Sequence, residues 1–388
     1  MNIFVFAYWP QNYIDVKEIG LVRVWEISEG LCSLGNKVVV FVPKYRNSYA
    51  KVSFKIVEVP FLRIKFCHYM SFYLISFFMS VFYALRLRPD IVYLRQMDTF
   101  LSKVLAKCFG AALVLEVHHA SCVYKTTNRI KDFISKTKER FNLALCDKIV
   151  SLTYELKETL KLLQKVPTSK IAVITSGSNI SLFRPIEAEE ARNKLGLKPD
   201  IYYVGFIGTL YEHQGIEVLV RAAPAILGKF SKAIFLIVGD GPVRGYLDKE
   251  VRYLGLSESF IFTGHISYYE MPSFISAMDV CVAPFLKSRG SASPVKIFDY
   301  FASGRPVVAS DVECSHSLIA NSKGGILVPP ENPQALSQAI IDLLPDKEKR
   351  DTLGKNGREF VVNNYSWDIL AKMTVRVCKE VLNNKSPV

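Results

Sequence analysis

Short apolar runs recur along the chain, each followed by a longer stretch with helical spacing of apolar and polar residues. In the first half the runs are Ile3–Ala7, Lys37–Val42, Val52–Val59, Ile91–Leu94, Leu113–Val117, Lys148–Leu152 and Ile171–Ile174. The second half repeats the scheme with Tyr203–Ile207, Ala233–Val238, Phe260–Phe262, Val280–Ala283, Val307–Ala309 and Ile326–Val328. Strands that are apolar throughout, rather than at alternate positions, are buried on both faces, and the stretches between them are long enough for crossover helices. The pattern predicts an α/β protein with two doubly wound parallel sheets. Turn chemistry at Ser176-Gly177-Ser178-Asn179, closed by Phe183-Arg184-Pro185, marks the boundary. This gives a first domain over 1–180, a second over 181–365, and a terminal helix over 366–388 expected to pack back toward the first domain.

One stretch departs from the pattern. Phe66–Leu85 is almost uncharged over twenty residues, enough as a helix to cross roughly 30 Å. At 100° per residue, Tyr69, Tyr73, Ser76, Ser80 and Tyr83 share one narrow face. Phe72, Leu74, Phe77, Phe78, Val81 and Phe82 occupy the others, and Lys65, Arg86 and Arg88 flank the segment. Three readings stand: a crossover helix buried on the sheet, a helix shared between the sheet and a membrane interface, or a true span. The strand beginning after Pro89-Asp90 needs this helix as its crossover, which weighs against the span.

Composition narrows the picture. A chain of 388 residues suits two domains, and 50% hydrophobic with 12% aromatic residues is globular rather than disordered. The net charge of +13 lies wholly in the first half: residues 1–184 hold 26 Lys/Arg against 13 Asp/Glu, and residues 185–388 hold 23 against 23. That asymmetry fits a solvated basic surface or an anionic partner for the first half only, whether a membrane surface, an acidic acceptor or nucleic acid. Nucleic acid is not expected, because the basic half lacks a clustered Arg/Lys–aromatic pattern. The eight cysteines form no C-x-x-C pair and several fall in apolar runs, as expected of reduced thiols in a cytosolic protein. Met1–Phe6 reads as a first strand rather than a signal peptide.

Candidate chemistry clusters in the second half. Gly205-Phe206-Ile207-Gly208-Thr209 ends one strand and Val238-Gly239-Asp240-Gly241-Pro242 the next; small residues there let a ligand approach the backbone. Ser291-Ala292-Ser293-Pro294-Val295 opens a helix whose start suits an anion, with Arg289 and Lys296 adding positive charge. Asp299 could accept hydrogen bonds from vicinal hydroxyls. No D-x-D motif is present to hold a divalent metal.

The tract from Tyr203 to Ala309 resembles the C-terminal domain of family-4 retaining glycosyltransferases of the GT-B fold. The resemblance rests on Gly208 through Gly215, Val238-Gly239-Asp240-Gly241-Pro242, Asp279 through Pro284, Ser291 through Asp299, and Ala302-Ser303-Gly304-Arg305-Pro306-Val307-Val308-Ala309. It implies two Rossmann-like domains facing a central cleft. It also implies a nucleotide-sugar donor on the second domain and transfer to an acceptor hydroxyl with retained configuration, without a metal cofactor. By position, Asp299 would bind the ribose. Ser293, Pro294 and Val295 would hold the diphosphate and sugar, and Phe262-Thr263-Gly264-His265 would line the base pocket. His118, rather than His119, would reach the donor sugar. Three positions depart from the family pattern: Gln214 stands for a lysine, Thr209 for a frequent basic residue and Ser291 for a glutamate. Lys296, Arg289 and His213 are the residues left to neutralise a departing diphosphate. Arg95, at a strand end, is assigned to an acceptor phosphate or acid. The basic first half and its aromatic helix suit a glycan or lipid-linked acceptor, such as a polysaccharide precursor, met at the inner face of a membrane by a cytoplasmic, peripheral enzyme. A non-catalytic binding subunit and a nucleotide-sugar epimerase are the alternatives on the same fold.

Overall fold

A computed structural model describes residues 1–8, 17–44, 52–64, 67–120, 129–290 and 292–385. The chain divides into two compact units: Met1–Thr175 with the C-terminal segment from Trp367 onward, and Ser176–Ser366.

Unit one runs β1 (Asn2–Ala7), α1 (Lys17–Ser33), β2 (Lys37–Pro43), β3 (Lys55–Val59), α2 (His68–Leu87), β4 (Ile91–Arg95), α3 (Phe100–Phe109), β5 (Ala112–Val117), α4 (Arg129–Leu145), β6 (Lys148–Ser151), α5 (Tyr154–Gln164) and β7 (Ile171–Val173). Its seven strands lie in the order β3-β2-β1-β4-β5-β6-β7, every ladder parallel. Alternate strand residues feed two cores. Phe4, Phe41, Val92 and Leu94 pack with Phe72 of α2, Leu105 of α3, Leu143 of α4 and Leu160 of α5. Ile3, Val5, Val40 and Tyr93 pack on the other face.

Unit two runs α6 (Ala188–Lys194), β8 (Tyr203–Ile207), α7 (Ile216–Leu227), β9 (Ile234–Val238), α8 (Arg244–Tyr253), β10 (Phe260–Gly264), α9 (Met271–Ala277), β11 (Val280–Ala283), α10 (Val295–Ala302), β12 (Val307–Ser310), α11 (Glu313–Ser322), β13 (Gly325–Val328), α12 (Pro333–Leu343) and α13 (Lys347–Asn364). Its six parallel strands are ordered β10-β9-β8-β11-β12-β13. Each expected apolar run forms a strand, with ends shifted by a few residues at most. Both sheets reverse their strand order once, between β1 and β4 and between β8 and β11. Ligands of open parallel sheets bind beyond the carboxyl ends of the strands at such reversals.

The last helix, α14 (Trp367–Asn383), belongs to unit one and packs on α1. Trp367, Leu370, Val377 and Val381 join the core on that face. Just beyond the helix, Lys385 binds the Ala111 carbonyl and pairs with Asp147 at 2.9 Å. A Cβ placed on Gly30 of α1 would collide with the Ala371 side chain, so the two helices touch at a glycine.

The hydroxyl-bearing face of α2 is turned inward. The Tyr69 hydroxyl accepts from the Asp98 amide at 2.8 Å, and the Tyr73 hydroxyl from the Leu101 amide at 2.9 Å. Ser76 and Ser80 are buried and donate to the Tyr73 and Phe77 carbonyls. By length and composition α2 could cross a bilayer, but it is the crossover between β3 and β4 and is held to the start of α3. Lys65 and Phe66, expected to belong to this segment, lie outside the described residues, as does Ser291.

Replacing Gly30 by leucine should force α1 and α14 apart and lower the stability of unit one by about 1–3 kcal/mol, read from denaturant unfolding. An unchanged midpoint would contradict the close approach of the two helices.

Candidate functional site

The carboxyl edge of the unit-two sheet collects the expected donor residues. Gly208 follows β8, Gly239 follows β9, and Gly264 ends β10, bridging to Gly239. Gly208 and Gly239 have φ of 135° and 129°, and a Cβ on Gly239 would strike the Gly208 carbonyl. Only glycine fits this pair of turns. Ile207, at the end of β8, donates its amide to the Tyr300 hydroxyl of α10 at 2.8 Å, which ties the strand end to the helix that carries Lys296 and Asp299.

Lys296 reaches across from α10 to β8. Its Nζ donates to Gln214 Oε1 at 2.5 Å and stands 3.6 Å from the centre of the Phe206 ring. A Cβ on Gly208 would lie 3.2 Å from this Nζ. The ammonium therefore occupies the neighbourhood of Gln214 and Gly208, where the family pattern has a lysine of its own. Arg289 is buried, rests on Phe285 at 4.0 Å and donates Nη2 to the Ser293 carbonyl at 3.0 Å. Phe285 also lies 5.3 Å from Lys296 Nζ. Arg289 Nε and Ser293 Oγ are buried with no hydrogen-bond partner among the described residues. Neither cation has a carboxylate partner among them. Burial, then the charge of Arg289, holds the Lys296 pKa well below the usual lysine range. Burial and then the same two cations depress His213. Buried charge without a counter-ion is costly, so this arrangement has the chemistry to accept an anion.

The other unit-two residues are placed as follows. Val295 begins α10, after Pro294, and its amide already donates to the Ser293 carbonyl at 3.1 Å. Thr209 continues the turn after Gly208, its carbonyl accepting from the Tyr211 amide. Asp299 is buried, and its Oδ1 accepts from Ser178 Oγ at 2.6 Å. Among the described residues, no group of three or more His, Cys, Asp or Glu side chains gathers as a metal site requires.

In unit one, His118 follows β5 and closes a buried network. Glu116 accepts from Arg23 Nε at 3.0 Å and from the Tyr93 hydroxyl at 2.6 Å. Two contacts compete for His118 Nε2: Glu116 Oε1 at 2.7 Å and Arg95 Nε at 3.3 Å. One nitrogen cannot donate to the first and accept from the second. The shorter contact, to a buried carboxylate, assigns the proton to Nε2 and leaves Nδ1 as the accepting nitrogen. Burial and then the Arg95 charge press the His118 pKa down to about 4, against the pull of Glu116. Burial alone would raise the Glu116 carboxyl, but Arg23 and the hydrogen bonds from His118 and Tyr93 hold it well below the usual range. Arg95 is itself buried, its pKa lowered to about 10 by burial, with Nε turned onto His118.

Sequence reasoning missed Glu116, Arg23 and Tyr93 as site-supporting residues, and Phe206 and Phe285 as the floor beneath the cations. The lone carboxylate in the apolar run Ala112–Val117 was the available signal for Glu116. Arg23 lies 93 positions away, beyond the reach of any local pattern.

The family model for family-4 glycosyltransferases matches residues 21–182, and that for group 1 glycosyl transferases matches residues 201–346. The chain belongs to this glycosyltransferase family, and its two parallel α/β units form the GT-B architecture. Over 235 residues it is 31% identical to the uncharacterized glycosyltransferase MJ1607 of Methanocaldococcus jannaschii, covering 60% of this chain and 59% of that protein, under two thirds of the relative. Sucrose-phosphate synthase from Thermosynechococcus elongatus superposes with a TM-score of 0.79 at 21% identity, over 99% of this chain and 100% of the other. HepE of Anabaena in complex with UDP-glucose gives 0.72 at 15%, over 98% and 100%.

The His118 network makes stability pH-dependent. An unfolded histidine titrates near 6.5, and folding lowers His118 to about 4. Between these values the unfolded state binds more protons, so this contribution is present above about pH 6.5 and lost as pH falls toward 4, by up to about 3 kcal/mol. Thermal unfolding across this window should fall more steeply for the wild type than for His118→Gln. Parallel profiles would contradict the network.

Proposed function

We propose that the chain transfers a glycosyl group, with retained configuration, from a nucleoside diphosphate sugar to an acceptor hydroxyl. The observation that carries this reading is the pair Lys296 and Arg289 at the β8/β11 reversal, which has no carboxylate partner among the described residues. A diphosphate would supply the missing counter-charge. Arg289 Nε and Ser293 Oγ would each gain a partner, and the glycine turns would let phosphate oxygens approach the backbone. HepE, which shares the fold, has been solved with UDP-glucose. In this reading Lys296 does from α10 what a lysine at the Gln214 position would do from the β8 loop, so Gln214 does not imply lost turnover.

Charge grows on the diphosphate as the bond to the sugar breaks. Two cations already in place, with no solvent to reorganise, favour that state over the ground state. They supply the neutralisation that a divalent ion provides in other nucleotide sites, so the reading needs no metal. His118 Nδ1 is assigned to a hydroxyl of the transferred sugar, and Asp299, latched by Ser178, to the ribose. Glu116 is assigned to orienting His118, and the Arg95 charge, beside burial, to keeping it neutral. The acceptor is assigned to unit one, where a cavity of about 300 Å³ is lined by Gln96, Asp98, His119, Lys138 and Glu139. Those polar groups suit a hydroxyl-rich glycan or the head of a lipid-linked sugar.

The test is thermal-shift binding with UDP-, GDP-, ADP- and dTDP-sugars. One nucleotide class should stabilise the wild type. Lys296→Gln and Arg289→Gln should each weaken binding by about 2–3 kcal/mol, roughly 30- to 150-fold, while the bare nucleoside binds both forms alike. No stabilisation by any donor, or variants that bind as the wild type does, would overturn the assignment.

A further inference from the structure

On α2 the division of residues is the reverse of that in a helix meant to face water. The hydroxyls of Tyr69, Tyr73, Ser76 and Ser80 point inward, each with a partner. Outward lie Met70, Leu74, Phe78, Phe82 and Leu85, one stripe at helical spacing, with Phe78 and Leu85 exposed by 69% and 68%. Leaving such a stripe in water is unfavourable, and continuous apolar patches on a surface mark an interaction site.

The patch extends beyond one helix. α3 packs beside α2, and α4 beside α3, on the same face of the sheet. Phe100 of α3 stacks on Phe141 of α4 at 6.4 Å, and both are more than half exposed. Phe133 of α4 is 71% exposed.

Charge identifies the occupant. Neither α2 nor α3 contains an Asp or Glu. Arg86 lies on the Phe82 ring at 4.3 Å, and Lys107 is exposed on α3. Aromatic side chains facing outward, bordered by cations and with no carboxylate on α2 or α3, match the boundary between anionic headgroups and acyl chains, and on α4 five Lys or Arg residues outnumber Asp132 and Glu139. We propose that this face of unit one docks on an anionic lipid bilayer, with α2 in the plane of the interface and Phe78 and Phe82 below the headgroups. The helix lies on the membrane rather than through it, because the Tyr69 and Tyr73 hydroxyls keep it bound to the start of α3. This docking is independent of the donor reading: it uses none of the unit-two residues.

Co-sedimentation of the full chain with phosphatidylcholine vesicles containing about 30% phosphatidylglycerol tests it. The wild type should partition onto these vesicles, and far less onto pure phosphatidylcholine. Phe78→Ser with Phe82→Ser should reduce partition about tenfold or more, with an unchanged unfolding midpoint and unchanged donor binding. Arg86→Gln with Lys107→Gln should weaken binding to anionic vesicles and leave the small neutral component alone. Failure of the wild type to bind anionic vesicles, or equal binding by the Phe78/Phe82 variant, would overturn the proposal. So would a wild-type dimer that the same variant dissolves, which would make the face a contact between copies.

Discussion

Holding the Lys296 ammonium and the buried Arg289 guanidinium with no carboxylate partner among the described residues costs several kcal/mol, and unit two does both at one spot. The surroundings reduce the cost without removing it. Phe206 and Phe285 offer their ring faces, Gln214 offers an amide oxygen, and the Ser293 carbonyl takes one Arg289 hydrogen bond. None of these carries negative charge. The rest of the site follows from this arrangement. Glycine at 208 leaves room for the Lys296 ammonium, Tyr300 fixes β8 relative to α10, and the strand reversal keeps the carboxyl edge open where the cations converge.

Unit one solves the opposite problem. Its buried carboxylate is matched: Arg23 pairs with Glu116, Tyr93 donates to the same carboxylate, and His118 stays neutral. A closed network of this kind stores no demand for a ligand; it fixes the tautomer and orientation of one imidazole. What unit one leaves unsatisfied is outside, on the apolar face of α2 through α4. Its polar core network and greasy exterior thus assign different tasks to its two surfaces.

Much of the fold was legible because parallel strands buried on both faces read as unbroken apolar runs, and because Gly208 and Gly239 sit where backbones must pass closely. The family pattern located α10 and its neighbours. Other features depended on distance in sequence. Gln214 and Lys296 are 82 positions apart, so the substitution of one cation by another could be listed from the sequence but not placed. Arg95 is assigned to an acceptor phosphate or acid from its strand-end position, and the contact of its Nε with His118, 23 positions away, has no local signal in the sequence. For α2, the 100° spacing correctly grouped Tyr69, Tyr73, Ser76, Ser80 and Tyr83. Periodicity alone could not say that this face turns inward, because that depends on amides of Asp98 and Leu101 in the next connection.

The central claim, that the unit-two cations await a diphosphate, is tested most directly by proton uptake on binding. Calorimetry of the cognate nucleoside diphosphate in buffers of different ionisation enthalpy, at about pH 8 to 9 where the ligand phosphates are fully ionised, measures it. Burial and Arg289 lower the Lys296 pKa in the free protein and a bound diphosphate would raise it again, so as pH rises and the free ammonium begins to titrate, binding should draw the lost proton back onto Lys296. Net uptake should therefore grow with pH and vanish in Lys296→Gln. Binding without uptake across this range, or with the same uptake in the variant, would contradict it.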